Sequence, residues 1–202
     1  MLVRDLIPQE EDEDDLLILT AAHVLIQVED GADVLSAPPG PEPSSTNGSY
    51  CGRVRRRVPL VNLPAISVDA AVIKPPPRLE CANQLACGTP NGIRDLWRVD
   101  DDSEPIPVRK HGAQTQLTHG ELLPVAADLR IKDVNTQYRD GWWVDGRDGR
   151  EFASQGDSGA IVVDEQRRVV GMVVALEHPA QGAATFVHGI KQIFTALQIE
   201  LP

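Results

Sequence analysis

The chain has few aromatic side chains: three tryptophans, two tyrosines and three phenylalanines make up 4% of its 202 residues. Packing therefore falls to Val, Leu, Ile and Ala, which suits closely packed strands. Cysteine is as scarce, and Cys51, Cys81 and Cys87 form an odd set that argues against a disulfide framework. Cys81 and Cys87 have a poor spacing for metal ligands and no second pair follows, so no metal and no cofactor is expected. No apolar run approaches the roughly 18 residues needed to cross a bilayer. Acidic residues interrupt the N-terminus where a signal peptide needs an apolar core. The chain therefore reads as intracellular, with no membrane partner.

Positive charge is also short. The net charge of −11 argues against nucleic-acid binding, which needs a basic surface for phosphate. The one basic cluster, Arg53-Val54-Arg55-Arg56-Arg57, reads as a solvated strand of alternating charge. The alternatives are a grip for an acidic partner or a face turned to the acidic run Glu10-Glu11-Asp12-Glu13-Asp14-Asp15. Between these runs, the Pro/Ser/Gly-rich stretch 36–49 reads as a flexible surface loop.

What the chain does have is 42% hydrophobic residues, enough for one core or two small fused barrels. It also has Gly156-Asp157-Ser158-Gly159, leading into the apolar run Ala160-Ile161-Val162-Val163. Glycine at 156 allows close backbone approach to a bound carbonyl, and the N–H groups of Gly156 and Ser158 can converge on one oxygen. A nucleophilic serine needs a base, and the base an orienting acid. His23 sits in a small-residue turn after the apolar strand Leu16-Leu17-Ile18-Leu19-Thr20. Asp69 sits at the mouth of a second apolar strand, Ala70-Ala71-Val72-Ile73, among small neighbours that suit a buried carboxylate. His23, Asp69 and Ser158 lie on separate elements and must meet by folding.

The order His, Asp, Ser in the contexts LTAAHVL, VDAAVI and GDSGA resembles the chymotrypsin-like (trypsin-like) serine peptidases. The segment from Val108 to Leu122 is similar to the K-x-G-x-x-T-x-x-T-x-G hairpin that opens the second barrel in intracellular and bacterial members. The resemblance spans about residues 16 to 195. It implies an all-β fold of two antiparallel six-stranded barrels: a first barrel over 1–80, a connection over 81–105, and a second barrel over 106–202 with a C-terminal helix. At best two strands precede His23, where a complete first barrel needs three, so an edge strand is expected to be missing there. Apolar residues at 190, 193, 194 and 197 predict the closing helix.

The implied activity is that of a serine endopeptidase acting on protein or peptide substrates through an acyl-enzyme. Ser158 is the implied nucleophile, His23 its base and Asp69 the orienting acid, with the Gly156 and Ser158 amides as oxyanion hole. The alternative is a catalytically silent scaffold of the same fold serving as a protein-interaction module. Phe152 falls where trypsin carries an acidic residue, and Val174, Ala175 and Leu176 should form the adjacent wall, so the substrate pocket is expected to take an uncharged side chain. His188 is a further pocket candidate, of the kind found in relatives that prefer Glu or Gln. The sequence contains no family-like activation site with an Ile-Val-Gly-Gly start, so Asp157 must find a partner other than a new N-terminal amine. Nothing in the sequence indicates an oligomeric state.

Overall fold

The computed structural model of the chain describes residues 1–7, 16–25, 31–35, 50–60, 67–77, 83, 85–98, 103–131, 136–177 and 184–202. The acidic run at 10–15, the loop at 36–49 and Cys81 lie outside the described residues.

The architecture is all-β, two six-stranded antiparallel sheets with one short helix. The first half carries β1 (Leu2–Asp5), β2 (Leu16–Thr20), β3 (Asp33–Leu35), β4 (Tyr50–Arg57) and β5 (Ala71–Lys74). The second carries β6 (Ile106–Gly112), β7 (Gln116–Ile131), β8 (Thr136–Gly146), β9 (Ile161–Asp164), β10 (Val169–Glu177) and β11 (Ala184–Gly189). Helix α1 (Ile190–Leu197) and a final strand β12 (Ile199–Glu200) follow. The second sheet closes as a barrel in the order β10-β11-β8-β7-β6-β9. Most of its inward positions are apolar: Ile106, Val108, Val162, Val170 and Val173 pack around Trp142 and Phe152, two of the chain's few large rings. The apolar positions expected of a closing helix are the four that α1 buries, Ile190, Ile193, Phe194 and Leu197.

The first sheet runs β12-β1-β2-β5-β4-β3. Among the described residues β1 and β2 precede His23, and the sheet has six strands because β12, after α1, supplies one. Gln198 adopts a left-handed conformation (φ 51°) after α1 and turns the chain so that β12 pairs with β1, Asp5 opposite Ile199 and Arg4 opposite Glu200. The closing residues thus belong partly to the first sheet. Val3, Leu17, Leu19 and Val72 of that sheet share one core with Ile190, Ile193 and Ile199.

An ionic clip secures this edge. The Asp5 carboxylate is 6% exposed, and Arg56 on β4 donates to it at 2.7 Å while donating to the carbonyl of Leu197, the last residue of α1, at 2.8 and 3.1 Å. Burial raises the Asp5 carboxyl, but the hydrogen bond from Arg56 and the charges of Arg56 and Arg55 outweigh it and hold the group below its usual range. One member of the basic cluster therefore serves inside the fold. The connection is tied to both halves: the Asn83 side chain brackets the backbone of Leu2 at 2.7 and 3.0 Å, and Arg94 N–H donates to Val169 O at 2.8 Å. Arg56→Ala takes from the buried Asp5 carboxylate its guanidinium donor, leaving the Ile7 N–H and the more distant Arg55, and leaves the Leu197 carbonyl without its guanidinium donor; it is expected to lower stability by about 2–4 kcal/mol. Arg53→Ala, which removes an exposed pair with Asp33, should change stability by less than about 1 kcal/mol. Denaturant unfolding of both variants measures the contrast.

Candidate active site

The register that pairs Thr20 of β2 with Ala71 of β5 sets the adjoining residues of both strands at one end of the first sheet. There the chain after β2 makes a single 3-10 turn, Ala22–Leu25, and presents His23 to Asp69, just before β5. His23 Nδ1 lies 2.7 Å from Asp69 Oδ2, and the His23 backbone N–H donates to Oδ1 at 2.9 Å. The small residues are necessary, since Ala21, Ala22, Ala70 and Ala71 are all buried around this contact. Asp69 is itself wholly buried, whereas the His23 side chain is 30% exposed.

Asp69 is also held from the second barrel. Tyr138 on β8 donates its hydroxyl to Oδ2 at 2.8 Å, and the Asp69 N–H donates to Nδ1 of the buried His188 on β11 at 3.0 Å. Burial raises the Asp69 carboxyl, and the donors from His23 and Tyr138, with the His23 charge, bring it below its ordinary value. Burial lowers His188 to about 4. The sequence carried no signal for Tyr138 at this position, because an isolated Tyr-Arg in a polar strand has no pattern that points inward.

Ser158 lies in the turn of the second barrel that leads into β9. Gly159 has φ 89°, and a Cβ there would come within 2.8 Å of Thr20 Oγ1 and 3.1 Å of Ala21 N, so the serine turn packs directly on the segment leading to His23. The Asp157 N–H bonds inward to Ser154 O at 3.0 Å and the Gly159 N–H to Val173 O at 2.9 Å. The alternate amides, those of Gly156 and Ser158, donate to no described residue. Nor does a hydrogen bond join Ser158 to His23 among the described residues.

Asp157 is buried in a cradle built by the β6–β7 hairpin. Inward alternation along β6 sends Ile106, Val108 and Lys110 to the barrel interior, and the fully buried Lys110 ammonium meets Asp157 Oδ2 at 3.0 Å. Thr115 donates its hydroxyl at 2.6 Å, and the backbone N–H groups of Gln114 and Ser154 donate at 2.8 and 3.1 Å. Lys110 also contacts the Thr115 hydroxyl. A side chain at Gly112 would collide with the Asp157 carboxylate, which accounts for the glycine. The K-x-G-x-x-T spacing is thus the footprint of one buried aspartate. The donors hold the Asp157 carboxyl low against burial, while for Lys110 burial outweighs the attraction of Asp157 and lowers its pKa.

The expected pocket residues divide. Val174, Ala175 and the half-buried Leu176 lie on β10 next to the Val173 carbonyl that anchors Gly159. The ring of Phe152 is wholly buried in the second core, and its carbonyl accepts the Thr118 hydroxyl at 2.6 Å. His188 is wholly buried against Tyr138 and Phe186 and accepts the Asp69 N–H. Among the described residues, no group of three or more His, Cys, Asp and Glu side chains is placed to hold a metal ion, and no helix is long and apolar enough to cross a membrane.

No protein-family model matches the sequence, and no curated protein matches it. Solved structures do. A glutamic acid-specific serine protease described as using a histidine triad in substrate binding superimposes with a TM-score of 0.65 at 12% identity, over 100% of this chain and 90% of that one. Nocardiopsis protease gives 0.65 at 15% identity, over 99% and 89%. Cellulomonas bogoriensis chymotrypsin gives 0.60 at 15%, over 91% and 84%. The fold is that of the chymotrypsin-like serine proteases.

Stability should follow pH in two stages. His188 binds a proton less readily folded, at about 4, than unfolded near 6.5, so stability falls as pH drops across that window, by about 3 kcal/mol in all. Asp5, Asp69 and Asp157, all depressed from 3.8, contribute stability present above that value and lost as pH falls through their lower folded values. His188→Gln should flatten the upper stage alone in denaturant titrations across pH. Lys110→Met should cost about 3–5 kcal/mol, and adding Asp157→Asn should recover part of that loss, because the uncompensated buried charge is then gone.

Proposed function

We propose that the chain is a serine endopeptidase that hydrolyses peptide bonds through an acyl-enzyme intermediate. The observation that carries this reading is the pairing of the half-exposed His23 ring with the buried Asp69 carboxylate, next to a glycine-flanked serine turn packed on the same segment. The fold shared with serine proteases supports a protein or peptide substrate.

In this mechanism Ser158 Oγ attacks the substrate carbonyl carbon while His23 Nε2 takes the hydroxyl proton. Asp69, on Nδ1, fixes the tautomer that leaves Nε2 free to accept and offsets the charge of the imidazolium that forms. The tetrahedral oxyanion is received by the Gly156 and Ser158 N–H groups, which donate to no described residue; each such donor is worth about 10²–10³ in rate. The imidazolium then gives its proton to the leaving amine, and the C–N bond breaks. Water, deprotonated by the same imidazole, attacks the ester and releases the acid and free Ser158. Asp157, bound to Lys110 and the hairpin amides, takes no part in proton transfer and keeps the turn in shape.

On this reading Ala175 and Leu176, which follow the Val173 carbonyl that accepts the Gly159 N–H, form the apolar pocket wall with the buried Val174 behind them, which favours an uncharged residue at the cleaved bond. His188 gives no support to a glutamate-binding pocket, being engaged with Asp69. One observation favours a silent scaffold instead: no hydrogen bond joins Ser158 to His23 among the described residues. Such bonds are often long in enzymes without substrate.

A fluorophosphonate probe should label the chain, with the label lost in Ser158→Ala and formed at least about 10³-fold more slowly in His23→Ala. Labelling that survives Ser158→Ala removes Ser158 from the role of nucleophile, and a folded chain that takes no label favours the scaffold. Profiling with a peptide library should show preference for an uncharged side chain before the cut; a dominant preference for Lys or Arg would overturn the pocket assignment.

A further inference from the structure

Two side chains of the second barrel reach Asp69, and acyl transfer assigns neither of them a step. Tyr138 donates to Oδ2, the same oxygen that holds His23 Nδ1. His188 accepts the Asp69 N–H. We propose that Tyr138 and His188 are positioning residues that set the orientation and the basicity of Asp69, so that the second barrel tunes how strongly His23 holds a proton. This rests on the reading of Asp69 as the group that orients His23.

Oδ1 takes one donor, the His23 backbone N–H at 2.9 Å, and Oδ2 takes two, His23 Nδ1 at 2.7 Å and Tyr138 at 2.8 Å. Two donors on one oxygen compete for its charge, so the tyrosine hydroxyl weakens the hold of Oδ2 on an imidazolium while fixing the carboxylate plane. Tyr138 stays a donor throughout the working range, because burial and the facing carboxylate push its phenol well above the usual value. The contact on His188 is directional in the same way. A backbone N–H can only donate, so Nδ1 carries the lone pair and the ring proton sits on Nε2, a buried atom with no partner. The groups facing this ring are Asp69, the Tyr138 ring at 5.5 Å and the Phe186 ring at 5.7 Å, with Met172 paired opposite on β10; no cation is among them. An apolar side chain of similar size would fill the space and leave the buried Asp69 N–H unbonded.

Tyr138→Phe removes the hydroxyl and keeps the ring. On a peptide substrate it is expected to lower kcat about tenfold with KM little changed, and to move the acid limb of kcat/KM to higher pH, since Oδ2 then binds the His23 imidazolium more tightly. His188→Leu should lower kcat further, and His188→Gln, whose amide oxygen can accept the same N–H, should recover most of it. Variants that change only melting temperature, with the acid limb unmoved and Gln no better than Leu, would overturn the proposal; should His188→Leu not fold, Tyr138→Phe decides. The low-field proton resonance of His23 Nδ1–H gives a readout independent of turnover, and it is expected to shift in Tyr138→Phe. A resonance that does not shift sinks the positioning role even in a chain without peptidase activity. An inactive parent whose resonance does shift sinks only the peptidase reading.

Discussion

A carboxylate withdrawn from water has to be surrounded by donors, and among the described residues four are withdrawn: Asp5, Asp69, Asp157 and Asp164. Each stands where separate parts of the chain must be joined. Asp5 joins β1 to β4 through Arg56, which also holds the end of α1. Asp69 collects donors from the first sheet and from β8 of the second barrel. Asp157 fastens the serine turn to the β6–β7 hairpin. Asp164 closes the β9–β10 turn by accepting from the Arg168 backbone at 2.8 Å and its guanidinium at 2.7 Å. A chain with so few large rings gains little directional packing from its core, so these hydrogen-bonded charges supply much of the specificity with which the elements meet.

The topology makes the candidate site depend on distant parts of the chain. Asp69 precedes β5, the strand between β2 and β4, and β2 leads to His23. Opening of the β1 edge would expose β2 next, so the clip of Arg56 on Asp5 and Leu197 protects the strand that positions His23. The last residues of the sequence are therefore coupled to the site through β12, β1 and β2, with no contact to it required.

How much of this could be read from the sequence depends on whether a residue's partner is near in pattern or only in space. His23 and Asp69 were legible because apolar strands ending in small residues mark both places. The closing helix was legible because its 3.6-residue period is local. The Lys110 motif could be matched but not explained, since its partner lies 47 positions away and a lysine on an inward strand position makes sense only opposite a buried acid. β12 was missed because two residues carry no period, and their pairing with β1 links the two ends of the chain. His188 was read as a pocket residue because the sequence could assign it to β11 but not to the side of Asp69 on which that strand presents it.

What remains free at the site is limited. The His23 ring is held at Nδ1 by Asp69 and is 30% exposed. The backbone of the serine turn is fixed on both sides, through Asp157 to the hairpin and through Gly159 to β10 and the Thr20–Ala21 segment. With base and backbone both held, the torsion left to Ser158 is rotation about its own Cα–Cβ bond, a change between staggered wells that takes picoseconds to nanoseconds. On the proposed reading, a substrate carbonyl seated on the Gly156 and Ser158 amides would favour whichever rotamer points Oγ at its carbon. The freedom that the held backbone leaves for aligning Ser158 with His23 is then that rotamer, while Asp157 keeps the turn itself in place.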